Sequence, residues 1–119
     1  MPNPVTHFEI VGMDGKKLHS FYSQLFNWNI EGADNPMEYG TVAPQEGRGT
    51  GGGIGTAPEA RVTFYVEVDN VQPFLDKVTS LGGKVVTERT VMPGMVTFAQ
   101  FADPEGNVIG LAETEVPPA

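Results

Sequence analysis

Two histidines and no cysteine narrow the chemistry open to this chain of 119 residues. His7 sits in the alternating run Val5 to Val11, and Glu9 follows two residues later. Strand alternation puts both side chains on one face, so an imidazole and a carboxylate can reach the same ligand or the same proton. Either is a candidate general base. The same two groups could instead hydrogen-bond to each other and line a wet cavity. As metal donors they are too few, because protein sites for divalent ions use three or more side chains. His19 follows the apolar Leu18 on a predicted helix and is expected at its solvent side. With two histidines so placed, no Ser/His/Asp triad can be assembled.

Around His7 and Glu9 the candidate ligand-binding residues are Thr63 and Tyr65, which share a face of a second strand, and Trp28, Tyr39, Met95 and Phe98 on neighbouring strands or loops. Met37 and Met92 belong to the same group. Such aromatic and sulfur-bearing walls suit an apolar or planar guest, or a cation held by ring faces and scattered carboxylates. Residues of these types at these spacings also fill cores. The run Gly47-Arg48-Gly49-Thr50-Gly51-Gly52-Gly53 lacks the Gly-Lys-Ser/Thr ending of a phosphate loop and does not lead from a strand into a helix. It reads as a flexible connection into a strand that other backbone or a ligand approaches closely.

The elements that must position these residues come in two rounds. Phe8 and Ile10 on the first strand oppose His7 and Glu9, and are expected beneath a helix. Asp14 can cap that helix, predicted from Gly15 to Phe26, whose Leu18, Phe21, Tyr22, Leu25 and Phe26 form one apolar stripe for the sheet. Strands follow over 28–32 and 37–43, with a short fourth near Ile54. A second round opens with Val62, Phe64, Val66 and Val68 alternating with Thr63, Tyr65 and Glu67. Phe64 and Val66 are expected under the second helix, Val71 to Leu81, which tolerates Pro73 in its first turn. Strands over 84–89, 95–102 and 108–113 complete it, the last two joined by the turn Asp103-Pro104-Glu105-Gly106-Asn107. At an offset of 56 residues the rounds superpose in pattern: Thr6 to Ile10 falls over Val62 to Val66, Leu25 over Leu81 and Ile54 over Gly110. The fold expected is therefore α+β, two tandem βαβββ units in a curled mixed sheet with helices on its outer face. Unit one covers about 1–57 and unit two about 58–115 of a single domain over 1–119.

Seven basic against fifteen acidic residues give a formal charge of −8, which repels phosphate backbones and argues against nucleic acid. No apolar run approaches the roughly 20 residues that span a bilayer, and the N-terminus lacks the basic and apolar regions of a secretion signal. A cytoplasmic protein without a membrane partner is expected. Without cysteine there are no disulfides, thiolate ligands or thiol nucleophile.

The repeated unit, the histidine in Thr6-His7-Phe8-Glu9-Ile10, the helix end Phe21-Tyr22-Ser23-Gln24-Leu25-Phe26-Asn27-Trp28 and the segment Asp103-Pro104-Glu105-Gly106-Asn107-Val108-Ile109-Gly110-Leu111 together resemble the glyoxalase/bleomycin-resistance/extradiol-dioxygenase superfamily, the vicinal oxygen chelate proteins. The resemblance implies a cupped sheet and, in the metal enzymes, one ligand on the first and last strand of each unit. His7 matches the first such position. Thr63 stands where a second histidine is usual, Gly110 where a carboxylate is usual, and the paired position of unit one falls near Ile54. Glu113 lies three residues past Gly110 and turns to the opposite face. No metal or other cofactor is therefore expected, with a divalent metal completed by atypical donors as the alternative. The function expected is binding of a small organic molecule, aromatic or cationic, in the cup. The alternative is a metal-dependent or His/Glu-based lyase, isomerase or dioxygenase. The resemblance, together with strand edges in need of cover, also implies a homodimer.

Overall fold

A computed structural model describes residues 2–92 and 96–114. Ten elements follow one another as β1 (Val5–Gly12), α1 (Gly15–Phe26), β2 (Ile30–Glu31), β3 (Gly40–Val42), β4 (Gly52–Thr56), β5 (Arg61–Val68), α2 (Val71–Ser80), β6 (Lys84–Met92), β7 (Val96–Ala102) and β8 (Val108–Glu113). This is the expected α+β order, a strand-helix-three-strand unit run twice. The strands predicted over 28–32 and 37–43 shrink to two and three residues. Compact contacts divide the chain into one unit over Thr6–Phe64 and another running from Tyr65 onward together with the first residues to Val5.

In the first unit the strand order is β2-β3-β4-β1. β1 and β4 are parallel, with Phe8 beside Gly52, Glu9 beside Gly53 and Ile10 beside Ile54. β4 and β3, and β3 and β2, are antiparallel. The second unit repeats this as β5-β8-β7-β6, with β5 and β8 parallel and the other pairs antiparallel. One register detail differs from the sequence alignment. Ile10 pairs with Ile54, and Val66, its repeat 56 residues on, pairs with Leu111. The fourth strands are thus 57 residues apart, and the counterpart of Gly110 is Gly53, not Ile54.

Each helix begins where a side chain caps it. Asp14 accepts from the Lys17 backbone N–H at 3.1 Å and Asn70 from that of Gln72 at 3.1 Å. α1 ends on Asn27 in the left-handed region, φ 58°, a conformation asparagine tolerates. The face α1 turns to the sheet is rotated from the predicted stripe. Gly15 is buried, and its N–H donates to Thr56 Oγ1 at 3.0 Å. One turn on, the His19 ring N–H at Nε2 donates to the Ile54 carbonyl at 2.7 Å. Leu18 and Tyr22 lie half-buried beside this line, while Phe21, Leu25 and Phe26 are more than half exposed. His19 is therefore an anchor of α1 on β4 and not a surface residue. The physical reason is spacing: positions 15 and 19 share a face, and only glycine at 15 lets the helix approach β4 closely, since a Cβ there would come within about 3.1 Å of its backbone.

In the second unit Val68, Val71, Leu75, Ala99 and Leu111 form the core, with Val66, Phe74, Val85 and Phe101 packed around it. This cluster takes up the C-terminal half of the apolar face of β5 only. Phe64, expected beneath a helix, is 39% exposed and Val62 is 72% exposed, whereas Thr63 and Tyr65 are buried. α2 starts at Val71 and its apolar side reaches Val68 and Val66 but not the start of the strand. Phe8 and Ile10 are half-buried. Glu113 does turn from the face of Gly110. It accepts from the Val71 N–H at 3.1 Å, at the start of α2, and from Arg89 Nε at 3.0 Å. These bonds hold its carboxyl below the usual carboxylate range.

Candidate functional site

In the first unit the site is built on His7. Its Nε2 lies 2.7 Å from the Tyr39 phenol oxygen, and the two rings stack with centroids 6.3 Å apart. Burial pushes the His7 imidazolium below its ordinary pKa of 6.5, so the neutral ring is favoured. A neutral imidazole offers one acceptor nitrogen, the form a general base or a ligand-orienting group needs.

Tyr39 is held by the loop before β3. Asn35 Oδ1 accepts from the Tyr39 N–H at 2.9 Å, and Asn35 Nδ2 donates to the Tyr39 and Gly32 carbonyls, both at 2.9 Å. The Thr56 N–H donates to the Met37 carbonyl at 2.8 Å, tying the same loop to β4. Glu38 adopts φ 50° inside this loop, and its Oε1 accepts from Thr56 Oγ1 at 3.4 Å. So fastened, the Tyr39 ring lies over Gly53, where any Cβ would run into it. Gly53 is in turn the register partner of half-buried Glu9. His7, Tyr39, Gly53 and Glu9 thus form one local group.

The second unit repeats the device with other residues. The Tyr65 ring lies over Gly110, its register partner, where a Cβ would collide with it. The Tyr65 hydroxyl accepts from Gln100 Nε2 at 3.0 Å, and Gln100 Oε1 accepts from Thr87 Oγ1 at 3.0 Å. Phe98 meets Tyr65 edge-on at 6.4 Å. Gln100 is 7% exposed, so this chain of polar groups is satisfied internally.

Of the predicted ligand-binding residues, the structure brings together His7, Glu9 and Tyr39 in one unit and Tyr65 and Phe98 in the other. Thr63 is buried on β5. Met95 lies outside the described residues. Trp28 is not with His7. It packs on Phe8, Tyr22 and Phe26 at ring distances of 5.5, 5.9 and 5.0 Å, on the opposite face of β1. Sequence reasoning passed over Asn35, Gln100 and Thr87. An Asp-Asn-Pro run before Tyr39 and a glutamine two residues after Phe98 were the available signals, and both residue types are common in loops and on sheet faces.

The four positions at which related metal enzymes would carry ligands hold His7, Thr63, Gly53 and Gly110. At both last-strand positions a tyrosine ring fills the space a carboxylate would need. Among the described residues no group of three or more histidine, aspartate and glutamate side chains could hold a metal ion. The donor set among these described residues does not fit a divalent metal.

A βαβββ unit run twice, with its first and fourth strands parallel, is the α+β architecture of the vicinal-oxygen-chelate class. The chain belongs to the Glyoxalase/Bleomycin resistance protein/Dioxygenase superfamily, whose family model matches residues 5–111. A "Glyoxylase-like domain-containing protein" of Didymella fabae is 27% identical over 114 residues, covering 87% of this chain and 88% of that one. A superfamily member from Vibrio splendidus 12B01 superposes with a TM-score of 0.66 at 15% identity, over 95% of this chain and all of the other. Methylmalonyl-CoA epimerase from Mycobacterium tuberculosis superposes with a TM-score of 0.67 at 14% identity, over 94% and 88% of the two chains. At these identities the likeness in structure is one of fold. No helix among the described residues is long and apolar enough to cross a membrane.

Proposed function

We propose that this chain binds a small organic molecule without a metal, on the sheet face that carries His7, Glu9 and Tyr39. The observation that carries the reading is the filled pair of last-strand positions: glycine in both units, each covered by a tyrosine ring that would have to leave before a metal-ligating side chain could stand there. His7 Nε2 lies within hydrogen-bond distance of the Tyr39 phenol, which joins the two groups on this face. A neutral imidazole, a carboxylate and a phenol on one face suit a polar or aromatic guest that both accepts and donates hydrogen bonds.

The second reading is a metal-free enzyme of lyase or isomerase type. It is favoured by the depressed pKa of His7, which keeps the ring in the proton-accepting state at neutral pH. One experiment separates both readings from a metal enzyme. Elemental analysis of purified protein, followed by calorimetric titration with Zn²⁺, Ni²⁺, Mn²⁺ and Fe²⁺, should give no stoichiometric uptake. His7→Ala should fold and should weaken binding of a hit from a small-molecule screen by about 1–3 kcal/mol. Equimolar metal that resists dialysis and is lost in His7→Ala would overturn the proposal.

A further inference from the structure

On the face of β1 opposite His7, Phe8, Trp28 and Val42 line an open cleft of about 470 Å³ whose rim carries Glu46, Arg48 and Thr50. Part of the rim is a hydrogen-bonded turn over Gln45 to Arg48. The Arg48 N–H donates to the Gln45 carbonyl at 2.7 Å, and Gln45 and Arg48 pair across the turn. Glu46 at φ 50° and Gly47 at φ 70° stand at the two central positions, the pattern of a type I′ turn. That turn favours glycine and asparagine, so glutamate at its first central position carries backbone strain, and strain of this kind collects at binding sites. The Gly-rich run is thereby accounted for in two parts: a fixed turn first, then Gly51 and Gly52, where a Cβ would strike the Val42 carbonyl and the Phe8 ring that form the cleft.

Arg48 is one of seven basic residues in a chain of formal charge −8. Among the described residues no ion pair or side-chain hydrogen bond engages its guanidinium. Glu46 sits at the tip of the turn and Arg48 at its base, opposite Gln45. A planar cation on the rim of a cleft that Phe8, Trp28 and Val42 line suits a ring bearing an anionic group.

We propose that this cleft is a second binding site, distinct from the His7 face, and that it takes small aromatic carboxylates, the ring against Trp28 and Phe8 and the carboxylate on Arg48. Trp28 is the chain's single tryptophan, so its emission reports occupancy directly. Titration of the full chain with phenylacetate should change that emission saturably. Phenethyl alcohol should bind about tenfold more weakly and phenethylammonium more weakly still. Arg48→Gln should bring phenylacetate down to the affinity of the alcohol and leave the alcohol unchanged, with far-UV circular dichroism as the check on folding. Lys84→Gln, the same change of charge at an exposed position of the other unit, should leave all three titrations as they were. No saturable change with phenylacetate, equal affinity for acid and alcohol, tighter binding of the ammonium probe, or loss on His7→Ala with Arg48→Gln silent would each overturn the proposal.

Discussion

Single residues decide what the sheet face can do, and His7 and the two glycines are the clearest cases. His7 has a folded-state pKa below its unfolded value, because burial disfavours the imidazolium. Its contribution to stability is therefore complete above pH 6.5 and is lost as pH falls from there through the folded pKa, since the unfolded chain binds the proton first. In an NMR titration the His7 ring should titrate below 6.5, and thermal denaturation should show stability declining in that window. His7→Gln should flatten the decline. Gly53 and Tyr39 make a second testable pair. Gly53→Ala should destabilise by about 1–3 kcal/mol, because the new methyl and the phenol ring claim the same space. In a Tyr39→Ala background the same substitution should cost much less, and chemical denaturation of the four proteins measures the coupling.

At the level of elements, the site depends on a loop that carries little regular structure. Asn35 bonds to both the N–H and the carbonyl of Tyr39, and the Tyr39 ring so placed lies over Gly53. Asn35→Ala should cost about 2 kcal/mol in denaturant unfolding, from several lost bonds in a partly buried turn. It should also loosen the His7 contact, seen as the His7 titration moving back toward 6.5 as water gains access. An intact His7 titration in this variant would show that Tyr39 is held by something else. The helix ties act in the same way. Gly15 and His19 on α1, and Glu113 beneath the first turn of α2, are polar contacts that set where each helix lies on its strands.

For the chain as a whole, the charge of −8 favours neutral or cationic partners in general, so the anion preference proposed for the Arg48 cleft is a local exception within an acidic field. We propose a homodimer as the assembly. Large apolar residues stand exposed on β5 at Val62 and Phe64 and on α1 at Phe21, Leu25 and Phe26, more than solvent usually covers at neighbouring positions. β2, a strand of two residues, and β6 end their units' strand orders. Light scattering at micromolar concentration should give twice the 12.8 kDa chain mass. A single species at that chain mass would count against the dimer.

The sequence alone determined the unit, its duplication and the α+β class, because alternation on Val62 to Val68, caps at Asp14 and Asn70 and the Asp103 to Asn107 turn are local signals of period two or of fixed backbone shape. It also placed His7 and Glu9 on one face, which strand geometry requires. It could not set the one-residue shift that makes Gly53 the counterpart of Gly110, since a repeat offset is blind to how β4 slides along β1. Nor could it rotate α1 so that His19 met the Ile54 carbonyl while Phe21 and Leu25 stayed outside. A hydrophobic stripe is an average over a face, and a close approach at Gly15 outweighed it. Trp28 shows the same division: its aromatic character was plain, but whether it served the His7 face or the opposite one was decided by packing on Tyr22 nearby and on Phe8, a residue of β1 that only the folded structure brings against it.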